Sequence, residues 1–207
     1  NTDASGNVLF DGLLAANGAG YVLTEGAIPL GSGSYLDGRE AAGSAGGSTA
    51  VNDQISGIAL TAGAQASGYL FGELPNAAIS GTVYVDRNRD NGMQATPTDG
   101  RLSGVTLRLV QGASCATGTV LQTVTTDAAG DYQFSSVAAG GNYLICQTQP
   151  AGYANGVQNP GTAATDGGAD VIAITNLPPT GSTGNLFGER VGSLAGTVYA
   201  DSTPGNV

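Results

Sequence analysis

The sequence predicts an all-β protein made of tandem repeats of an Ig-like β-sandwich, each with about seven strands. Two observations predict this class. Apolar residues alternate with polar ones at a period of two, and short glycine-rich turns separate the alternating segments. A third observation, internal repetition at a spacing of about 115 residues, indicates how the chain is divided.

Two pairs of segments in the chain have closely similar sequences. LFGELPNAAISGTVYVD at residues 70–86 returns as LFGERVGSLAGTVYAD at residues 186–201. NTDASGNVLF at residues 1–10 matches TTDAAGDYQF at residues 125–134. We therefore expect a stretch of a longer tandem array. Its parts are the C-terminal part of a preceding repeat at residues 1–74, one complete repeat at residues 75–189, and the start of the next at residues 190–207.

Alternating apolar residues mark the strands of the complete repeat. Val105 and Leu107 alternate with polar residues, and Tyr132 and Phe134 flank a glutamine. Turns rich in Gly, Asn and Pro separate these segments, as expected for half-buried antiparallel strands. We expect the repeat to close with a final strand at residues 185–189, and we find no segment with helical periodicity.

The composition excludes most kinds of active site. The chain has no lysine, histidine or tryptophan, so it lacks Schiff-base lysines, imidazole acid–base chemistry and histidine metal ligands. Its 16 acidic residues outnumber its 6 basic ones, so nucleic acid is not an expected partner. Long uncharged stretches such as residues 54–72 are interrupted by Gly, Ser and Thr, so no membrane span is expected. We predict that the chain is not an enzyme.

The ordered set of strands and turns in the complete repeat resembles the SdrD B-like repeat of bacterial surface proteins. The resemblance rests on YVDRNRD at residues 84–90, DGRLSGVTL at residues 99–107 and TTDAAGDYQF at residues 125–134. It implies a prealbumin-like sandwich of the collagen-adhesin B type. Such domains act outside the cell as stalks or spacers of adhesins and fibres, often with bound calcium. Because this chain has no lysine, it cannot form the Lys–Asn isopeptide bond of many related domains.

The segment YVDRNRDNG at residues 84–92 contains a candidate calcium site. Asp86, Asn88 and Asp90 occupy positions one, three and five of a loop, an arrangement that points their oxygens to the same side. The resemblance implies that Asp99 supplies the closing carboxylate. The loop lacks the glycine and glutamate positions of an EF-hand. A solvated polar turn, with two arginines neutralising the acids, is the alternative.

Cys115 and Cys146 are the only cysteines of the chain. The preceding partial repeat has Thr24 at the position that matches Cys146, so it offers no further partner. In the secreted setting that the resemblance implies, a disulfide between the two is favoured. Two buried free thiols, or a bond to another chain, are the alternatives.

The sequence LFGE recurs at the end of both repeats and terminates in Glu73 and Glu189. Its phenylalanines, Phe71 and Phe187, are predicted to anchor a last core strand. The two glutamates are candidate contacts to the next domain. We also expect the Asp86 loop to lie near the connection with the preceding repeat, where a cation would stiffen the chain.

The function that these observations favour is structural. Repeats that contact only their neighbours suit the stalk or filament of a bacterial surface protein. The expected partners are neighbouring repeats of the same chain and other copies in a filament. The alternative is an adhesin module whose loops recognise a carbohydrate or a host or matrix protein. Both functions place the chain outside the cell, secreted or at the cell surface.

Overall fold

The computed structural model describes residues 2–26, 35–95 and 97–200. The chain forms two units, Asn1–Asn76 and Ala77–Val207, divided close to residue 75, where the sequence predicts that the complete repeat begins. All regular secondary structure in the described residues is β-strand, which confirms the predicted all-β class. Within the same residues there is no helix long and apolar enough to cross a membrane.

The first unit is built from short strands. Its strands are β1 (Tyr21–Thr24), β2 (Tyr35–Asp37), β3 (Ser48–Val51) and β4 (Gln54–Ile58). Strand β4 lies between β1 and β3 in an antiparallel sheet, and Ile55 of β4 is fully buried. Strand β2 pairs antiparallel with the first residues of the long strand β5 (Glu73–Val85).

The second unit is a β-sandwich of two sheets. After β5, the strands are β6 (Gly100–Arg101), β7 (Thr106–Gln111), β8 (Thr119–Thr125), β9 (Asp131–Ala138), β10 (Tyr143–Gln147), β11 (Ala154–Asn159), β12 (Ala164–Asp166), β13 (Val171–Ile174) and β14 (Ser182–Arg190). One sheet has the strand order β12-β13-β10-β7-β8, and the other has the order β11-β14-β5, with β6 and β9 also paired to β5.

The core of the second unit lies between its sheets. Val105, Leu107, Tyr132 and Phe134, which the alternating pattern assigns to the inner face, are all buried. They pack with apolar side chains of β5, β10, β13 and β14 in one hydrophobic cluster. The predicted closing strand is confirmed as β14, with Phe187 fully buried in this cluster. The predicted Ig-like sandwich is therefore confirmed.

Strand β14 runs parallel to β5, and this pairing positions the candidate site. Glu189 is the register partner of Val85, and the Asp86 N–H donates to the Glu189 backbone oxygen at 2.8 Å. Upstream, a Cβ on Gly81 would lie 1.7 Å from the backbone oxygen of Asn185, so only glycine permits this close approach. The loop after β5 therefore lies beside the C-terminal end of β14.

This location corrects one expectation from the sequence. The Asp86 loop follows the C-terminal end of the 13-residue strand β5, whereas the connection from the preceding repeat enters at the other end. The prediction that the loop lies near that entry is wrong, because the extended strand β5 separates the two. The loop instead neighbours the segment that leaves the unit after Arg190.

Candidate functional site

Asp86 organises the loop that follows β5. Its side chain is 1% exposed, its Oδ1 accepts from the Asp90 N–H at 3.2 Å, and its Oδ2 accepts from the Asn91 N–H at 3.1 Å. Bonds from backbone N–H groups to a carboxylate are strong, so they fold the loop back onto the strand. The reversal places Arg89 and Asn91 in the left-handed region, at φ 61 and 66. Asparagine adopts that region more readily than most residues.

Asp99 holds the other half of the same loop. Its side chain is fully buried, at 0% exposed. Its Oδ1 accepts from the Arg87 N–H at 3.2 Å, and its Oδ2 accepts from the Gln94 N–H at 2.8 Å. Two buried carboxylates, Asp86 and Asp99, thus shape one loop by accepting hydrogen bonds from four of its backbone N–H groups.

Asn88 and Asp90 lie on the exposed side of the loop. The Asn88 amide donates to Asp90 Oδ2 at 2.9 Å, and the Gly92 N–H donates to Asp90 Oδ1 at 3.0 Å. The bond from Gly92 is the main cause that lowers the pKa of Asp90. The Gln94 amide nitrogen also contacts Asp90 Oδ2, while the buried Gln94 Oε1 has no hydrogen-bond partner. That oxygen is a further candidate ligand atom, which sequence reasoning did not identify.

The acidic side chains of the loop act on the hydroxyl group of Tyr84. Burial raises the pKa of Tyr84, and the charges of Asp86, Asp99 and Asp90 raise it further. The donor set consists of oxygens alone, which is the set that calcium prefers. In the described part of the chain, however, the trios of acids with oxygens within 4.8 Å of one another lie in the first unit. The Asp86 loop thus has suitable ligands, but its three carboxylates are not drawn together.

Two arginines connect this loop to the residues that follow β14. The Arg89 guanidinium donates to the backbone oxygen of Val191 at 3.1 Å, and the Arg190 guanidinium donates to Asn91 Oδ1 at 2.6 Å. The Asn159 amide donates to the Asn91 backbone oxygen at 2.9 Å. These bonds tie the loop to the exit of the second unit.

The two cysteines form a disulfide within the second unit. Cys115 lies in the connection between β7 and β8, and Cys146 lies in β10, with their Cα atoms 5.9 Å apart. Of the sequence-based alternatives, the structure thus has the intrachain bond. Because β10 pairs with β7 in the same sheet, the bond fastens the β7–β8 hairpin to its neighbour.

Glu189 lies inside the sandwich rather than on its surface. It is fully buried on the same face of β14 as Phe187, and its carboxylate accepts hydrogen bonds from the amides of Gln147 and Gln149. Burial raises the pKa of Glu189, and these two amide bonds partly offset that effect. The contact that Glu189 is predicted to make with a next domain stays a prediction.

Glu73 belongs to an acidic cluster in the first unit. One oxygen of each of Glu25, Asp53 and Glu73 lies within 4.8 Å of the others, and Asp37 and Glu40 form a second such trio with Asp53. Burial raises the pKa of Glu73, and the charges of Asp37, Asp53 and Glu40 raise it further. Sequence reasoning missed this cluster because its members lie on separate strands and turns.

The second unit matches a known family. The model of the SdrD B-like domain matches residues 77–182, which is just over half of the chain. The chain belongs to the SdrD B-like family. The predicted family is therefore confirmed, and the matched residues lie within the second unit.

The solved structures that this chain matches include a shaft pilin. The shaft pilin SpaA from Lactobacillus rhamnosus GG is similar at a TM-score of 0.36 and 11% identity, over 57% of this chain and 52% of the pilin. A mutant form of the same pilin has a TM-score of 0.36 and 12% identity, over 78% of this chain and 62% of the pilin. The SdrD B-like chain thus spans about half of the first pilin. Comparison with curated proteins gives no match.

Proposed function

We propose that this chain is a non-enzymatic structural repeat in the stalk or filament of an extracellular bacterial surface protein. The observation that carries the proposal is the SdrD B-like domain at residues 77–182, flanked on both sides by sequences that repeat its own parts. A domain whose strands recur before and after it suits a linear array in which each repeat contacts its neighbours.

The segment after β14 supports this array. Val198 and Tyr199 match Val83 and Tyr84 of β5, which are fully buried in the core of the second unit. Val198 and Tyr199 themselves are highly exposed. An exposed apolar pattern that is core elsewhere in the same chain indicates a strand that requires a partner. We propose that residues 191–200 form the first strand of a following repeat.

The beginning of the chain supports the same interpretation. Phe10 matches Phe134 in the repeated turn and strand, and it is 58% exposed whereas Phe134 is 0% exposed. Leu13 shows the same contrast with Val137, which is buried. In the second unit, Phe134 and Val137 lie in one hydrophobic cluster with apolar residues that include those of β5 and β7. We propose that the first unit is the C-terminal part of a preceding repeat.

Calcium is the cofactor proposed for the Asp86 loop. The ligands would come from Asp86, Asn88, Asp90 and Asp99, and the unpartnered Gln94 Oε1 is available beside them. Bound calcium would supply positive charge to carboxylates that are otherwise balanced by backbone N–H groups. Because Arg89 and Arg190 connect the loop to the exit of the unit, the ion would also order that exit. The proposed role of the ion is mechanical rather than catalytic.

Small-angle X-ray scattering of the full-length protein tests the proposal. A stalk gives a maximum dimension that increases in proportion to the number of repeats and a cross-section that does not. Removal of calcium with a chelator is expected to shorten the maximum dimension, because the residues that follow β14 become less ordered. A particle whose maximum dimension does not follow the number of repeats would contradict the stalk.

A further inference from the structure

The chain forms the same turn twice, once in each unit. In the first unit the Asp3 N–H donates to the Asn7 backbone oxygen at 2.8 Å, and in the second the Asp127 N–H makes the equivalent bond at 2.9 Å. The glycines of the two turns, Gly6 and Gly130, both adopt the left-handed conformation, at φ 79 and 76. The first unit therefore contains, already folded, the turn that leads into β9 in the second unit.

The two turns differ in what lies beside them. In the second unit, the Val83 N–H of β5 donates to the Gly130 backbone oxygen at 2.8 Å, and a Cβ on Gly130 would lie 2.6 Å from the Val83 backbone oxygen. In the first unit, a Cβ on Gly6 would meet no atom of the described residues within 4 Å. Residues 7–14, which match β9, do not form a strand. The side of the turn that β5 covers in the second unit is therefore open in the first.

The first unit also contains the other neighbour of β5. In the second unit, β5 pairs with β9 and, in parallel, with β14, where Phe187 is the register partner of Val83. Phe71 matches Phe187 but is only partly buried, and Leu70 before it is 61% exposed. The described strand pairings of the first unit are all antiparallel. The first unit thus has the two segments that would border a strand like β5, and the parallel pairing between them is missing from its described residues.

Residues 195–200 match the part of β5 that runs beside β14. Gly196 matches Gly81, the position at which only glycine permits the close approach of β5 to β14. No residue from Val191 to Ala200 is charged. This segment can therefore enter the sheet of an acidic unit without burying a charge of its own.

The expected receiving strand has a glycine where one is needed. Tyr84 of β5 is the register partner of Gly188, and a Cβ on Gly188 would lie 2.9 Å from the Tyr84 hydroxyl oxygen. Tyr199 matches Tyr84, and Gly72 matches Gly188. A parallel pairing in the same register places Tyr199 opposite Gly72, which leaves room for the tyrosine ring.

We propose that this chain binds a second copy of itself by strand exchange. Residues 194–200 of one copy enter the first unit of the next, parallel to residues 70–73, with Val198 opposite Phe71 and its N–H donating to the Gly6 backbone oxygen. Main-chain hydrogen bonds supply the affinity of such an added strand, and the side-chain positions supply its specificity. The proposal rests on the proposed function, in which the first unit and residues 191–200 are parts of one repeat.

The path of β5 favours a second copy as the partner. Strand β5 begins in the first unit, where it pairs with β2, and ends in the second unit, so it leads from one unit to the next. Residues 191–200 follow β14 in the same way and lead onward from the second unit. Each copy has one donor strand and one receiving unit, so the contact is head-to-tail and an open series of copies results.

Analytical ultracentrifugation of the 207-residue chain tests the exchange. The average mass is expected to rise with concentration in steps of one copy. Val198→Asp alters the donor strand and Phe10→Asp alters the receiving unit, and each is expected to weaken association at least about tenfold, because it places a charge in the interface. Val120→Asp puts the same charge on an exposed residue of β8 and is expected to have no effect. All three side chains are exposed in the single copy, so the variants should fold as the original chain does.

A mixture of two variants distinguishes strand exchange from other association. Val198→Asp keeps an intact receiving unit, and Phe10→Asp keeps an intact donor strand. An equimolar mixture is therefore expected to form dimers that neither variant forms alone. A mixture without dimers, or an original chain that stays a single copy at every concentration, would overturn the exchange. Either result leaves the stalk open to its own test, because repeats joined in one longer chain do not require exchange between copies.

A cysteine pair tests the register and the partner. Val198→Cys and Phe71→Cys in one chain place thiols on neighbouring strands about 4.8 Å apart, within reach of a disulfide. Oxidation is expected to link copies into a ladder on a non-reducing gel. Leu121→Cys in place of Val198→Cys moves the thiol to exposed β8 and is expected to give no ladder. Cross-links that form only within single copies would show that the strand folds back on its own chain, and would overturn the proposal.

Discussion

The guanidinium of Arg190, at the end of β14, donates a hydrogen bond to Asn91 Oδ1 in the Asp86 loop, 2.6 Å away. Arg89 of the same loop donates to the backbone oxygen of Val191 at 3.1 Å. The loop and the exit of the SdrD B-like domain are therefore joined by reciprocal bonds. We therefore expect that a ligand which orders the loop also orders the residues that follow β14.

Calcium is expected to slow hydrogen exchange in both places together. The N–H groups of Asp90, Asn91 and Gln94, which bond to the carboxylates of Asp86 and Asp99, should exchange more slowly when calcium is added. Amides at residues 191–192 should slow over the same range of calcium concentration. Hydrogen-exchange mass spectrometry measures both. Protection in the loop with unchanged exchange at residues 191–192 would show that the arginine bonds do not couple them.

Asp90→Asn is expected to remove most of the stabilisation by calcium at the Asp86 loop. With a dissociation constant on the order of 10⁻⁴ to 10⁻³ M, 10 mM calcium stabilises the fold by about 1.4 to 2.7 kcal/mol. Thermal melts with calcium and with chelator measure this difference. The variant keeps an Oδ1 acceptor for the Gly92 N–H, so its stability in chelator should change little.

Asp166→Asn is the matched control for that change. Asp166 is also exposed, and its Oδ1 accepts from the N–H two residues later, that of Gly168, at 2.8 Å. It lies outside the Asp86 loop, so the calcium response of this variant should equal that of the unmodified chain. An equal loss of response in the two variants would mean that total charge, not the loop, determines the effect.

The disulfide is expected to stabilise the second unit substantially. Cys115 and Cys146 are separated by 31 residues, and closing a loop of this length contributes about 3 to 4 kcal/mol in the chain-entropy model. Replacing both cysteines with serine should lower the free energy of unfolding by about this amount, measured in urea. A dithiol reductant should destabilise the original chain and leave the double variant unchanged. If the free energy of unfolding of the original chain is the same with and without reductant, the predicted stabilisation is wrong.

Glu189 is expected to make the calcium-free chain more stable in mild acid. Burial raises the pKa of Glu189 in the folded state, so the folded chain binds a proton at this carboxylate more tightly than the unfolded chain does. The resulting stability is fully present below the unfolded pKa of about 4.3 and is lost as the pH rises through the raised folded value. In chelator, Glu189→Gln should remove this component from the pH dependence of melting between pH 4 and 7. Asp170 is the other acid that faces Glu189, so Asp170→Asn serves as a comparison. Identical pH profiles for Glu189→Gln and the original chain would contradict the assignment.

The alternating pattern was sufficient to predict the fold class and much of the core. Leu107 and Phe134 lie in strands whose inner faces can be read from their neighbours in sequence, because side chains in a strand alternate with a period of two. The parallel pairing of β14 with β5 joins residues about 100 positions apart and leaves no local pattern. The sequence therefore placed the Asp86 loop after the correct strand but at the wrong end of the repeat.

The acidic cluster shows a second limit of local patterns. Asp86, Asn88 and Asp90 follow one another at a spacing that suggests a metal loop, whereas Glu25 and Asp53 meet only because their strands pair. One signal was nevertheless present in the sequence. Aligning the two repeats residue by residue places Glu25 opposite Gln147, so the first unit has an acid where the second has an amide.

Electron microscopy of the full-length protein tests the central claim, that this chain is a repeat of an extracellular stalk or filament, most directly. The part of strand β5 that lies in the second unit, residues 77–85, has 9 residues, and at about 3.3 Å per residue it is about 30 Å long. Negatively stained protein in calcium is expected to form thin fibres with an axial repeat of at least about 30 Å. Compact particles without an axial repeat, at every calcium concentration, would contradict it.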